Sequence, residues 1–493
     1  MRMKDILYRK RNSTKTAVIY KDHEYSYHDI HRQVVAHSEN LMDTGSHNVG
    51  IFISNSANYV IAYFSAAYMD RVIIPIEANS KKNQILSTIA YCEMDLILTD
   101  NQHLAYLCEV ASKELDQGIL LYNVDSYEQS YFGKKGRESE KKRQASEGED
   151  DVAVMLHTSG TTSDPKKVML THANLISNIE SNIASLALNS DDRSLIVLPM
   201  CFGYCNTSQF LTHFYLGGSI VIYDGAFVPK RFLHFIEKYQ CTNSTCIPTM
   251  LYLLVKSNRK ADHLPYFRYL CFGGGRISEE ILARTIDMLP ETGIVQTYGQ
   301  TEAGPRVTCL LPEDARRKLG SVGKAIPGVS VKVFDEYDQE VPSGTDGEIV
   351  VKGKNVMKGY YKHPDETERT IVNGWLHTGD MGRFDDEGYL YVVGRKKNVI
   401  ISGGLNIYPE EIEELLRTHP AVSEAYVYPQ EHELLGEVPA VRIVPYAGGK
   451  LDIKELYEYC KANLEIQKIP SVIEVADHIE KTYNGKIRRV GNE

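Results

Sequence analysis

Between residues 17 and 99, short apolar runs alternate with stretches of helical period, and few folds accept that alternation. Residues 17–20 and 24–27 read as a hairpin. Residues 49–54, 72–76 and 96–99 read as strands, and residues 29–43, 58–69 and 82–91 as helices, with Ile30, Val34, Val35 and Leu41 on the apolar side of the first. Strand, helix and strand in succession build βαβ units, so a parallel, doubly wound sheet is expected. The pattern resumes with strands at 152–157, 194–198 and 219–222. Near Gly347 the texture changes, and glycine-rich turns separate short strands at 347–353, 389–393 and 399–402. A compact segment follows, with helices at 409–418 and 453–464 and strands at 425–428, 438–444 and 472–475. The expected fold is therefore α/β: a large N-terminal domain of doubly wound sheets plus a β-barrel-like subdomain, residues 1–395, and a small mobile α+β C-terminal domain, residues 396–493. Residues 133–150 form a mixed-sign charge run too polar to bury, read as a mobile surface loop.

The formal net charge of −10 gives no support to nucleic-acid binding, although it leaves room for a local basic pocket. Nine cysteines occur without a C-x-x-C pair. A disulfide framework or zinc site is not expected, and a reducing compartment fits. The charged N-terminus lacks a signal-peptide core, and no apolar run approaches ~18 residues. A cytoplasmic protein without integral membrane association is the expectation.

Residues 157–168 read HTSGTTSDPKKV: a strand enters a Ser/Thr/Gly loop and then basic residues. Backbone N–H groups, hydroxyls and ammonium groups together suit a polyphosphate. The Walker spacing is absent. Gly273, Gly274 and Gly275 do not fit the dinucleotide G-x-G-x-x-G spacing. Further along come YGQTE (298–302), WLHTGD (375–380), YLYVVGRKK (389–397) with SGG (402–404), and KTYNGKIRR (481–489).

In this order and at these spacings the segments resemble the adenylate-forming (AMP-binding) superfamily: acyl-CoA synthetases, adenylation domains of peptide synthetases and luciferase-like enzymes. The resemblance runs from Tyr25 to Arg489. It implies an ATP-dependent carboxylic acid ligase that forms acyl-AMP and pyrophosphate, then passes the acyl group to a thiol of CoA or of a carrier-protein phosphopantetheine. The chemistry asks for cations and fixed donors, because a carboxylate must approach an anionic α-phosphate in line.

The resemblance assigns roles residue by residue. Thr158, Ser159, Gly160, Thr161, Thr162 and Lys166 would cradle the β- and γ-phosphates. Glu302 would serve Mg2+, Thr301 the α-phosphate, and Tyr298, followed by Gly299 and Gln300, the adenine. Gly273, Gly274 and Gly275 would let adenine and acyl group approach the backbone. Asp380 would bind both ribose hydroxyls, and Arg395 the ribose or a phosphate. Lys486 would bridge the substrate carboxylate and the α-phosphate. Lys397 would be the pivot of the C-terminal domain, and Gly403 and Gly404 would line a tunnel for the pantetheine thiol.

Ser163 and Lys167 stand where the family usually has glycine, and Glu480 where proline is common. A positive φ at either loop position would be strained, while the Lys167 charge could compensate near phosphate. Phe202, Tyr204, Pro248 and Thr249, with Gly274, are the candidates for the acyl pocket. No aspartate lies between Leu198 and His213 to meet an α-ammonium, which favours an acid without an α-amine. Two alternatives stay open: an amino-acid adenylating ligase loading a carrier protein, and a non-catalytic nucleotide-binding homologue. The expected partners are a small carboxylic acid and, as a separate chain, an acyl or peptidyl carrier protein.

Overall fold

The computed structural model describes residues 1–44, 46–114, 118–133, 148, 150–157, 166–258, 263–446, 451–480 and 489. Two large mixed sheets form its body. In the first, Thr16–Tyr20, Ser219–Ile222, Arg193–Ile196, Asn243–Cys246, Tyr269–Phe272 and Gly293–Gln300 run parallel in that spatial order. Antiparallel strands close its two ends: His23–Ser26 at one, Gly304–Leu310 and Lys324–Ala325 at the other. In the second, Val152–His157, Val72–Pro75, Asn48–Phe52, Leu96–Thr99 and Ile119–Asn123 are parallel. Lys167–Thr171 with Gly359–Tyr360, and Gln129–Phe132, add antiparallel edges. Val72–Pro75, Asn48–Phe52 and Leu96–Thr99 are buried throughout. Helices cover both faces of such strands, which explains their unbroken apolar runs.

One helix joins the two sheets. Ala57–Tyr68 starts at Ser56, whose hydroxyl accepts from the Tyr59 N–H at 3.3 Å, and it buries ten of its twelve residues. A helix apolar on every side belongs between layers. Its residues share one core with Val18 and Ile220 of the first sheet and Ile51 and Leu98 of the second.

A third sheet of five antiparallel strands follows: Val329–Phe334, Gly347–Gly353, Trp375–Phe384, Ile371–Val372 and Leu390–Arg395. A fourth carries Ile400–Ser402, Leu405–Ile407, Gly436–Pro445, Val422–His432 and Val472–Val475. Helices Pro409–Thr418 and Ile453–Asn463 pack on it around Ile412, Leu416, Val427, Val441 and Leu456. The first of these helices has Pro409 at its start, Glu410 and Glu411 in its first turn and Arg417 in its last. That arrangement suits the fixed φ of proline and the helix dipole. The fourth sheet meets the body through Arg276 Nη1 to Glu414 Oε2 at 3.3 Å and a Tyr252–Tyr446 hydroxyl contact at 2.6 Å.

Most expected strands and helices agree to within two residues. The strand expected at 49–54 ends at Phe52, because Asn55 leaves the sheet to bond Leu198 O and the Met200 N–H, both at 2.8 Å. The charged stretch 133–150 lies almost wholly outside the described residues. Lys167 is a correction. It has no positive φ, sits in a strand opposite His157, and is only 3% exposed. Its side chain points into the protein beside Cys92 and Cys201, and burial lowers its pKa.

Candidate active site

Segments at the carboxyl ends of parallel strands carry described motif residues: Gly273 after Tyr269–Phe272, Pro248 after Asn243–Cys246 and Thr301 after Gly293–Gln300. Open α/β sheets place ligands along such an edge.

The tightest cluster is built by register. Asp380 on Trp375–Phe384 lies directly opposite Arg395 on Leu390–Arg395. Arg395 Nε therefore reaches Asp380 Oδ1 at 2.8 Å, and the Tyr298 hydroxyl donates to Asp380 Oδ2 at 2.8 Å. The Asp380 N–H donates to the Thr378 hydroxyl at 3.1 Å, and Asp380 is 6% exposed. Burial would lower the Arg395 pKa, but Asp380, with Tyr298 and Glu302, overrides it and the value is raised. Burial, then Asp380, pushes the Tyr298 phenol well up. This places a fixed carboxylate, an aromatic ring and a guanidinium together.

Thr301 opens a single tight turn, Thr301–Ala303, that presents Glu302. The Tyr360 hydroxyl donates to Glu302 Oε1 at 3.0 Å. Burial pushes the Glu302 carboxyl up, against the pull of its own N–H, Tyr360 and Arg395. Lys166 Nζ sits 5.4 Å over the Tyr360 ring and pairs with Glu366. Thr158, Ser159, Gly160, Thr161 and Thr162 lie outside the described residues, as does Ser163; the neighbouring His157 and Lys166 are described. Burial, then Lys167, takes His157 down to about 4, so it is neutral at pH 7. Among the described residues no cluster of three or more His, Cys, Asp or Glu could hold a metal. A single carboxylate fits Mg2+ all the same, since that ion is usually held by one or two carboxylates with substrate phosphates and water.

Of the acyl-side candidates, Tyr204 and Pro248 lie against the run Gly273–Gly275. A Cβ there would lie 2.6 Å from Thr297 O and 2.9 Å from the Tyr204 hydroxyl, so only glycine fits. Tyr204 and Thr297 are hydrogen-bonded at 2.7 Å. Gly275 faces Pro248, whereas a Cβ on Gly274 would meet nothing within 4 Å. Phe202 precedes the short helix Gly203–Cys205 and is half-buried; Thr249 is exposed at the start of helix Pro248–Lys256. Gly299 and Gln300 end their strand beside Gly304.

On the C-terminal side, Lys397 lies in the turn Lys396–Asn398. Burial, then Arg395, Lys166 and Arg489, lowers its pKa, so these cations share one neighbourhood. Gly403 and Gly404 have φ of +57° and +84° and form the turn joining Ile400–Ser402 to Leu405–Ile407. A two-residue hairpin with both φ positive favours glycine at both positions. Lys486 lies outside the described residues. Arg489 grips Glu413 at 2.8 and 2.9 Å and Val427 O at 3.0 Å. The sequence reading missed Tyr360 and Glu366, which sit in no recognisable motif, and Thr378, which lies inside the WLHTGD segment without having been given a role.

Fold and site together define an ATP-handling α/β ligase with an appended C-terminal domain. The chain belongs to the AMP-binding enzyme family: the family model matches residues 8–361, and that of the AMP-binding enzyme C-terminal domain matches residues 411–486. It is 35% identical over 341 residues to a feruloyl-CoA synthase from Amycolatopsis sp, 69% of each chain. It is 31% identical to the 2-succinylbenzoate–CoA ligase of Bacillus subtilis over 489 residues, 96% of this chain and 94% of that one. The o-succinylbenzoate CoA synthetase (MenE) of Bacillus subtilis, solved with its acyl-adenylate OSB-AMP, superposes with a TM-score of 0.87 at 28% identity, covering 99% of this chain and 97% of that one. The same enzyme has been solved with ATP and magnesium ion. The protein is thus an ATP- and Mg2+-dependent acid–thiol ligase that makes an acyl-adenylate and transfers the acyl group to a thiol.

Proposed function

We propose that this ligase activates a small carboxylic acid and uses free CoA as its thiol acceptor in the cytoplasm, with a carrier protein as the alternative acceptor. Ferulate and 2-succinylbenzoate are the first acids to try, since relatives are named for them. The observation that carries this reading is Asp380, fixed between Tyr298 and Arg395, with Glu302 acting electrostatically on the same Arg395. Nine free cysteines fit a reducing compartment, and no helix among the described residues is long and apolar enough to cross a membrane.

In this reading Asp380 accepts from both ribose hydroxyls, a bidentate match to a vicinal diol, while Tyr298 stacks on adenine and Gly299 and Gln300 shape its edge. Arg395 stays bound to Asp380 and adds positive charge. Thr301 donates to the α-phosphate. Residues 158–162 and Lys166 hold the leaving pyrophosphate. Bound Mg2+, carried by Glu302 and phosphate oxygens, supplies charge neutralisation at the phosphates. Lys486 brings its ammonium to the carboxylate and α-phosphate. The unit of residues 396–493 then turns about Lys397, so that Gly403 and Gly404 face the incoming thiol.

ATP–pyrophosphate exchange across aliphatic, aryl and amino acids tests the first step, and CoA-dependent release of AMP the second. Exchange driven by acids lacking an α-amine, followed by thioester formation with free CoA, is expected. Thioester formation only with a phosphopantetheinylated carrier would overturn the choice of acceptor.

A further inference from the structure

Tyr360 lies outside the motifs read from the sequence, yet it touches groups assigned to both the metal and the phosphates. It belongs to segment 355–361, which runs between the Glu302 turn and the strand Lys167–Thr171. Toward the turn, Asn355 Nδ2 donates to Ala303 O at 2.7 Å, the Met357 N–H to Glu302 O at 2.8 Å and the Tyr360 hydroxyl to Glu302 Oε1 at 3.0 Å. Toward the strand, the Lys358 N–H donates to Met169 O at 3.0 Å and the Tyr361 N–H to Lys167 O at 2.8 Å, and Tyr360 stands opposite Val168. Lys166 immediately precedes that strand, and its Nζ lies 5.4 Å over the Tyr360 ring.

Tyr360 is itself held firmly, and only 8% of it is exposed. Its N–H donates to the Thr367 hydroxyl at 2.9 Å, and that hydroxyl donates to His363 O at 2.9 Å. The residue before it has to be glycine: Gly359 has φ of +149°, and a Cβ there would lie 2.7 Å from Thr367 Cγ2. Thr367 follows Glu366 on helix Pro364–Thr370, and Glu366 pairs with Lys166. One short helix therefore fixes the tyrosine backbone and holds the lysine over the tyrosine ring.

Glu302 needs such a neighbour. It is the one carboxylate assigned to Mg2+, and it projects from a single turn, Thr301–Ala303. A glutamate left to itself gives up rotamer freedom each time it binds. Carboxylates that hold metals are themselves hydrogen-bonded, and removing the outer partner costs roughly 10–100-fold in metal affinity or activity. A tyrosine offers two separable functions here, a hydroxyl for the carboxylate and an aromatic face for the ammonium.

We propose that Tyr360 is a positioning residue of the phosphate site: its hydroxyl sets the Glu302 carboxylate for Mg2+, and its ring seats Lys166 for the phosphates. One side chain thus keeps the metal anchor and the phosphate cation in register. This rests on the ligase reading above, and it adds a residue that acts through Glu302 and Lys166 without touching the substrate.

The test separates the hydroxyl from the ring in the full chain, with Tyr360→Phe, Tyr360→Leu, Glu302→Ala and the Tyr360→Phe/Glu302→Ala double variant. Calorimetry measures binding of ATP with Mg2+ and of ATP in excess EDTA, and exchange is titrated with Mg2+ using the best acid of the panel above. Tyr360→Phe should raise the Mg2+ concentration for half-maximal exchange by roughly 10- to 100-fold. Saturating Mg2+ should restore most of the rate, and binding of metal-free ATP should stay as in the wild type. Tyr360→Leu should weaken metal-free ATP as well, because Lys166 loses its seat. In the Glu302→Ala background, Tyr360→Phe should add nothing to the Mg2+ dependence, since the hydroxyl acts through that carboxylate. A wild-type Mg2+ dependence in Tyr360→Phe, whatever its melting temperature, would overturn the proposal. So would equal weakening of metal-free and Mg2+-loaded ATP, which marks a purely structural residue. A wild type that binds neither form of ATP would instead overturn the ligase reading.

Discussion

Asp380 shows how neighbours fix the position of a single side chain. An isolated carboxylate on a strand would be solvated and mobile. Here Arg395, opposite in register, holds one oxygen and the Tyr298 hydroxyl holds the other, each at 2.8 Å. Asp380→Ala should weaken ATP use by roughly 10- to 100-fold in kcat/KM, the range for hydrogen bonds to a charged group; steady-state kinetics at saturating acid checks it. Tyr298→Phe keeps the ring and should cost under about tenfold. Glu302 carries a pH signature. Burial raises its pKa in the folded protein, so between its unfolded and folded values the folded state holds more protons. Stability must then fall as pH rises through that window, and below it the cost is absent. Glu302→Gln should thus raise the melting temperature more at pH 8 than at pH 4, while impairing Mg2+-dependent exchange. An equal gain at both pH values would contradict the burial argument.

At the scale of elements, local pattern and tertiary pairing contributed differently. The strands at 96–99, 152–157, 219–222, 347–353 and 472–475 and the helices at 82–91 and 409–418 were legible to the residue, because apolar runs and caps are local signals. The strand Lys167–Thr171 was not, since the phosphate-loop motif invites reading Lys167 as a loop cation. Its burial depends on the neighbouring strand, which no local pattern announces. Lys167 has a lowered pKa and no carboxylate partner among the described residues. The unfolded chain therefore binds more protons than the fold between the folded value and the usual lysine range, and stability rises with pH there. Lys167→Met should stabilise the protein by about 1 kcal/mol or more at pH 7, with a smaller gain at pH 10. Calorimetric melting at the two pH values checks this. Gly403 and Gly404 illustrate the reverse: their backbone turn accounts for the glycines independently of any tunnel. Gly404→Ala, which meets no atom, should cost about 1–2 kcal/mol through φ alone.

The whole molecule is a body of two parallel-cored sheets, an antiparallel sheet and a C-terminal sheet that touches the body through few polar contacts. Five short motifs spread over more than 300 residues made the family legible in sequence, because they occur together and in a fixed order. The acyl side was far less legible. The candidates there, Tyr204, Thr297 and Gly273, meet as a product of strand order rather than spacing. If the C-terminal unit turns about Lys397, Lys397→Pro should impair thioester formation more than adenylation.

The central claim is that a lysine of the C-terminal domain enters the site to form the acyl-adenylate. It is tested most directly by separating the two half-reactions in Lys486→Ala under single-turnover conditions. The account predicts adenylate formation slowed on the order of 10²–10³-fold, as for loss of one charge-stabilising group, with thioester formed from supplied acyl-adenylate and CoA at the wild-type rate. Equal slowing of both steps, or of neither, would contradict it.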